Sequence, residues 1–243
     1  MTSQTRRPLT LIAGAFAVVL VIAGAFGLWY LFFRPAGPAA VGSSAALAAT
    51  VPSSAPLTGG IDATWKVDTS IGSFSDFSDS WVGYRMQEEL AGIGGNEAVG
   101  RTAAVSGSMT VAGSQVTDAT IEADLTSLTS DDSNRDRQLG NQGLQTSQFP
   151  NATFKLTSPI DLGAVPADGK AVQVTAKGQL TLHGQTKDVE IPLTATLSGS
   201  TVILTGSIPI LLADYGIDKP NSFKVLSIAD SGTMELQILF TKS

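Results

Sequence analysis

"VQVTAKGQLTLHGQTKDVEIPLTATL", residues 172–197, decides the fold. Its first half places Val172, Val174, Ala176, Leu180 and Leu182 at alternate positions, with polar residues between them. Its second half does the same with Val189, Ile191, Leu193, Ala195 and Leu197. Successive side chains of a strand point to opposite faces, so strict alternation marks a strand with one buried face. His183-Gly184 interrupts the pattern with turn chemistry, and a link that short joins antiparallel neighbours, because parallel pairs need long crossovers. The stretch therefore reads as a β-hairpin.

The same signal spreads outward. Ala119, Ile121, Ala123 and Leu125 alternate upstream, and Met234, Leu236, Ile238 and Phe240 alternate near the C-terminal end. Turn-like breaks stand at 112–115, 167–169 and 198–200. About eight strands, mostly hairpin-linked, make an all-β antiparallel barrel or a sandwich. The inward face is rich in Val, Ile, Leu and Ala and poor in aromatics, which suits a closed barrel of about eight strands, filled by side chains or holding one slender ligand. Pro192 has no N–H to give a ladder, so it requires an edge or a bulge.

One segment departs from the pattern. "NRDRQLGNQGLQTSQFPNATF", residues 134–154, is charged and amide-rich. Asp131, Asp132 or Ser133 can cap a short helix here, and Gly140 or Gly143 can end it. Pro150 biases Phe149 to an extended backbone. The segment is expected to cross one mouth of the strand body, with Leu139, Leu144 and Phe149 pointing inward as plugs.

Ahead of the β region the chain divides cleanly. Residues 1–8 form a short N-terminal tail. From Leu9 to Phe33 only Thr10 and Tyr30 are polar, and a helix of that length crosses the ~30 Å hydrocarbon core of a bilayer. Arg6 and Arg7 precede it and Arg34 follows, which predicts a cytoplasmic N-terminus and an extracytoplasmic remainder. A cleaved signal peptide is the competing reading, but its apolar core would be shorter and followed closely by small residues. Residues 34–60, rich in Pro, Ala, Ser and Gly, read as a flexible stalk. Residues 61–243 are the β domain.

Charge and chemistry narrow the function. Of 15 basic residues, Arg6, Arg7 and Arg34 flank the apolar run, leaving 12 against 21 acids and a net of −9 for the rest. That balance argues against nucleic acid and against adhesion to anionic headgroups. The absence of cysteine removes thiol nucleophiles, thiolate metal sites and disulfides. His183, the sole histidine, sits at a turn, where it reads as a backbone-bonding residue and not a general base. The run from Asp131 to Asp136 lacks the ligand spacing and glycine of a calcium loop, so it reads as helix capping with an Arg–Asp pair. Nothing fixes Glu88-Glu89 or Asp76 and Asp79 at the separation that glycoside chemistry needs. No catalytic residue, metal ligand or cofactor site is assigned.

Two motifs carry a resemblance. Arg135-Asp136, Leu139 and Phe149-Pro150-Asn151-Ala152-Thr153-Phe154 are followed by Gly178-Gln179-Leu180-Thr181-Leu182-His183-Gly184-Gln185-Thr186-Lys187. In that order they resemble the YceI family, and Trp65-Lys66-Val67-Asp68 resembles its opening strand. Gln138 stands where the family has a histidine, and the insert before Phe149 is longer. The resemblance implies a lipocalin-like barrel in a bacterial cell envelope, with an apolar interior for a polyisoprenoid or other long-chain lipid. The residues expected to line that interior are Ile121, Leu125, Val172, Val174, Val189, Ile191, Leu193, Leu204, Leu236 and Ile238. The alternatives are a ligand-free interaction module and, third, a hydrolase. Oligomeric state is left open by the sequence.

Overall fold

The computed structural model describes residues 37–42, 44–50, 57–163, 167–221, 223 and 225–243. The apolar run at 9–33 lies outside them, and among the described residues no helix is long and apolar enough to cross a membrane.

Eight antiparallel strands close into a barrel, one of the two architectures that the alternation allows. In order round the ring they are β1 (Ala63–Val67), β4 (Val105–Ala112), β5 (Gln115–Asp124), β7 (Asn151–Leu156), β9 (Ala171–Leu182), β10 (Gln185–Ser198), β11 (Thr201–Leu211) and β13 (Ser231–Lys242). The ring shuts where Trp65, Lys66 and Val67 pair with Lys242, Thr241 and Phe240. A side sheet continues from the first part of β13 through β2 (Trp81–Leu90) and β3 (Gly94–Thr102) to the short β6 (Thr129–Ser130). Two further short strands join it: β8 (Ile160–Asp161) pairs with β5, and β12 (Val225–Ile228) with β2.

The strand register defines two ends. At the hairpin end lie the β4–β5 turn, with Ala112 opposite Gln115, and the β10–β11 turn, with Ser198 opposite Thr201. At the insert end lie the β9–β10 turn and the 134–154 segment. Here His183 and Gly184 take φ of 50° and 71°, the left-handed pair a two-residue hairpin demands.

Pro192 sits where its chemistry requires. On one side it pairs with β9, opposite Thr175. On the other, pairing with β11 begins only at Leu193, opposite Gly206. From Pro192 toward the insert end the two strands part, and the 3-10 turn Leu212–Tyr215 packs against both. Tyr215 and Ile217 are buried there, and Leu144 from the insert packs on the same core.

The insert begins as expected. Helix α2 (Ser133–Gln138) is capped by Asp132, whose carboxylate accepts from the Asn134 N–H at 2.8 Å. A single π turn, Leu139–Gly143, follows.

An outer layer covers part of the barrel wall. Part of the segment read from sequence as a flexible stalk belongs to it, namely residues 38–42 and helix α1 (Ser44–Thr50). Ala46 is fully buried against Ile203 and Leu239, whose side chains point out of the barrel. Arg101 donates to the Ala39 carbonyl at 2.6 Å, Arg85 donates to the Pro38 carbonyl, and the Val41 N–H donates to Glu235 at 3.2 Å. Size favours the helix contact: the single methyl group of Ala46 lets the helix lie close to Ile203 and Leu239.

Candidate functional site

The candidate site is a cavity of about 140 Å³ inside the barrel. Its lining is apolar apart from Thr196. Alternation turns the Thr196 side chain to the opposite face from Ala195 and Leu197, beside Ile203 in the outer cluster. The lining therefore presents hydrocarbon, with no charged side chain among the described residues.

The residues explain why a void survives there. Ala119 and Ala123 on β5, Ala152 on β7, Ala176 on β9 and Ala195 on β10 all line it. Alanines on four neighbouring strands leave that wall thin. The facing wall carries bulk, from Trp65 on β1, Met109 and Val111 on β4, and Leu236 and Phe240 on β13. Phe154 stands on Gly178, where an added Cβ would come within 2.4 Å of its ring. That glycine gives the ring its place beside the void.

Of the residues expected to line the interior, Ile121, Val174, Ile191, Leu193, Leu204 and Leu236 do so. The other four point inward or lie buried without reaching the void. Ile238 is fully buried in the solid core, Val189 packs on that core, and Leu125 is buried in the 3-10 turn after β5. Val172 is half-buried near the start of β9. Leu139, Leu144 and Phe149 do not line the cavity either. They belong to the insert itself, whereas the lining runs along the strands from Ala123, Ala152, Leu180 and Met234 to Val111, Val116, Leu197 and Val202 at the hairpin end. Phe149 instead packs edge-on against the His183 ring at 4.6 Å. Trp65, Met109, Phe154 and Phe240 were missed as lining residues, although the same period-2 signal runs through "TWKV", "SMTVA" and "NATFKL".

A YceI-like domain matches residues 65–240. The chain belongs to the YceI-like family. Among curated proteins none matches this chain. Solved structures similar in fold include two bacterial proteins. A polyisoprenoid-binding domain from Saccharophagus degradans implicated in plant cell wall breakdown superposes with a TM-score of 0.57 at 18% identity, over 75% of this chain and 100% of that one. Burkholderia cenocepacia BcnA does so with 0.52 at 20% identity, over 71% of this chain and 98% of that one.

In this YceI-like domain the motif residues seal the insert end. Arg135 pairs with Asp131 one turn back and donates to Glu88 on β2 at 2.8 Å. Asn96 on β3 donates to the same Glu88 oxygen at 2.6 Å. Burial alone would lower the Arg135 pKa, but the Glu88 and Asp131 carboxylates outweigh it and hold the guanidinium charged. Beside them the Tyr84 hydroxyl is buried without a partner, and burial pushes its pKa up. His183 bonds through Nδ1 to the Tyr215 carbonyl at 2.9 Å, which assigns the proton to Nδ1. Its Nε2 is buried without a partner, and no nucleophile bonds to the ring.

The outer layer holds a second charged cluster. Glu235 accepts from Arg85 Nε at 2.7 Å, and Arg101 stacks on Trp81 at 3.8 Å and Phe77 at 4.3 Å. Nearby Asp79 is buried with one oxygen unpartnered, and burial raises its pKa to about 6.

Proposed function

We propose that this YceI-like protein is a membrane-anchored, extracytoplasmic binding protein for an apolar ligand, an isoprenoid or other lipid chain, in the bacterial cell envelope. The observation that carries the reading is the hydrocarbon-lined void: a soluble barrel that leaves such a space unfilled gives up dispersion contacts that a guest would restore. Affinity needs no polar contact there, since burying each CH₂ is worth about 0.8 kcal/mol. The likeness to a polyisoprenoid-binding domain supports the ligand class. The apolar run at 9–33, with its flanking arginines, supports the anchor and the orientation. The Glu88 and Glu235 carboxylates are held in ion pairs with arginines, and binding without catalysis is the role this arrangement supports.

The test is to purify the protein in a mild detergent, extract it with organic solvent and analyse the extract by mass spectrometry. A reproducible stoichiometric lipid is expected. Its repeated absence, together with failure to take up added prenols, would overturn the proposal. Labelling of residues 61–243 from outside intact cells checks the orientation.

A further inference from the structure

We propose that this barrel admits only a short apolar group, roughly five to ten carbon atoms, so that its ligand is one or two isoprene units or the equivalent end of a longer chain. The inference rests on the reading of the cavity as a lipid site and adds a length limit to it.

Volume sets the limit. Cavities of about 150 Å³ lined by Leu, Ile and Phe accept one benzene-sized guest, and this one measures about 140 Å³. A chain of many isoprene units would need several times that space.

The floor explains why the void stops. Met234 lines the cavity, and Ile208 lies opposite it across the β11–β13 ladder, buried in solid core. Below Ile208 come Ile210, Tyr215 and Ile217, all buried. To lengthen the void, a guest would have to displace these side chains, which fill the gap where β10 and β11 part. The side walls resist widening, because β9 and β10 are paired without a break alongside the void, and β10 and β11 are paired from Leu193 to Ser198. Ile208 is thus a specificity-determining residue for ligand length, and Ala176 and Ala195 set the free width.

Affinities of the purified protein for prenol, geraniol, farnesol and geranylgeraniol, which carry one to four isoprene units, test this by displacement of N-phenyl-1-naphthylamine. Within the limit, affinity should rise about fourfold per added methylene-sized group. From geraniol onward it should stay level within about threefold. A rise that continues undiminished to geranylgeraniol would overturn the length limit while leaving the lipid reading intact. Binding of none of the four would overturn the lipid reading itself. Ile208→Ala should carry the plateau to farnesol, and Ala176→Leu should draw it back toward prenol. Should Ile208→Ala fail to fold, Ala176→Leu still decides: an unchanged plateau in that variant overturns the assignment of the void.

Discussion

Strand β11 passes through two different interiors. Near its start Val202 and Leu204 face a hollow, while farther along Ile208 and Ile210 face solid core. Both pairs are apolar, both point inward and both come from one uninterrupted alternation. What separates them lies across the barrel. Opposite Val202 and Leu204 the wall is thinned by alanines, whereas Ile208 and Ile210 meet Tyr215 and Ile217 from the turn that follows. Alternation tells which face a residue takes. It does not tell whether the space in front of that face is occupied.

The comparison can be broken by truncation. Ile208→Ala in the solid half should cost about 3–4 kcal/mol, from lost transfer energy plus a new cavity. Leu204→Ala already borders a void, has fewer contacts to lose, and should cost only about 2 kcal/mol. Urea denaturation of both variants checks this, and equal costs would show that the two halves are packed alike.

The seal of the solid half offers a comparable effect. Arg135→Ala leaves Glu88 buried without its cationic partner, and should cost about 3 kcal/mol. Chain-length selectivity should remain, because Arg135 does not line the cavity.

The outer layer sharpens the contrast as a control. Asp79 has its pKa raised by burial to about 6 from 3.8. Between those values the folded state holds a proton that the unfolded state has lost, so this group's contribution makes stability fall as pH rises from about 4 to 6. Above that window Asp79 costs about 2 kcal/mol, a discounted share of its shift. Asp79→Asn should therefore stabilise the protein at pH 7.5 by that order, and by little at pH 4. Ligand affinity should not change, since the residue lies outside the barrel wall. Thermal melts and prenol displacement at both pH values measure the two effects.

The smallest expected effect is at Thr196, which is 2% exposed with its hydroxyl unpartnered. Replacing that hydroxyl by a methyl group removes a desolvation cost, so Thr196→Val should be neutral or stabilising by up to about 1 kcal/mol. Chemical denaturation resolves it.

The hairpin at 172–197, the inward faces of β5 and β13, the Asp132 cap and the edge position of Pro192 were all legible in the sequence, because each depends on local spacing or on one residue's chemistry. The extent of the void was not. Ile238 and Leu236 carry the same signal, yet only Leu236 borders the space, a difference set by residues distant in the chain. The docking of Ala46 was hidden for a related reason. A run of Pro, Ala and Ser has no periodicity of its own, and the outward-facing side chains of Ile203 and Leu239 give it somewhere to bind.

The ring's closure by β1 and β13 also bears on how the molecule is made. Ribosomal synthesis delivers Trp65 long before Phe240, so β1 waits with one flank of its backbone unsatisfied until residues 231–242 emerge. Contacts this far apart in the chain form slowly, and an unpaired strand edge invites aggregation in the meantime. That interval is also when the staves stand apart, and a greasy molecule could be taken up before the last one is set.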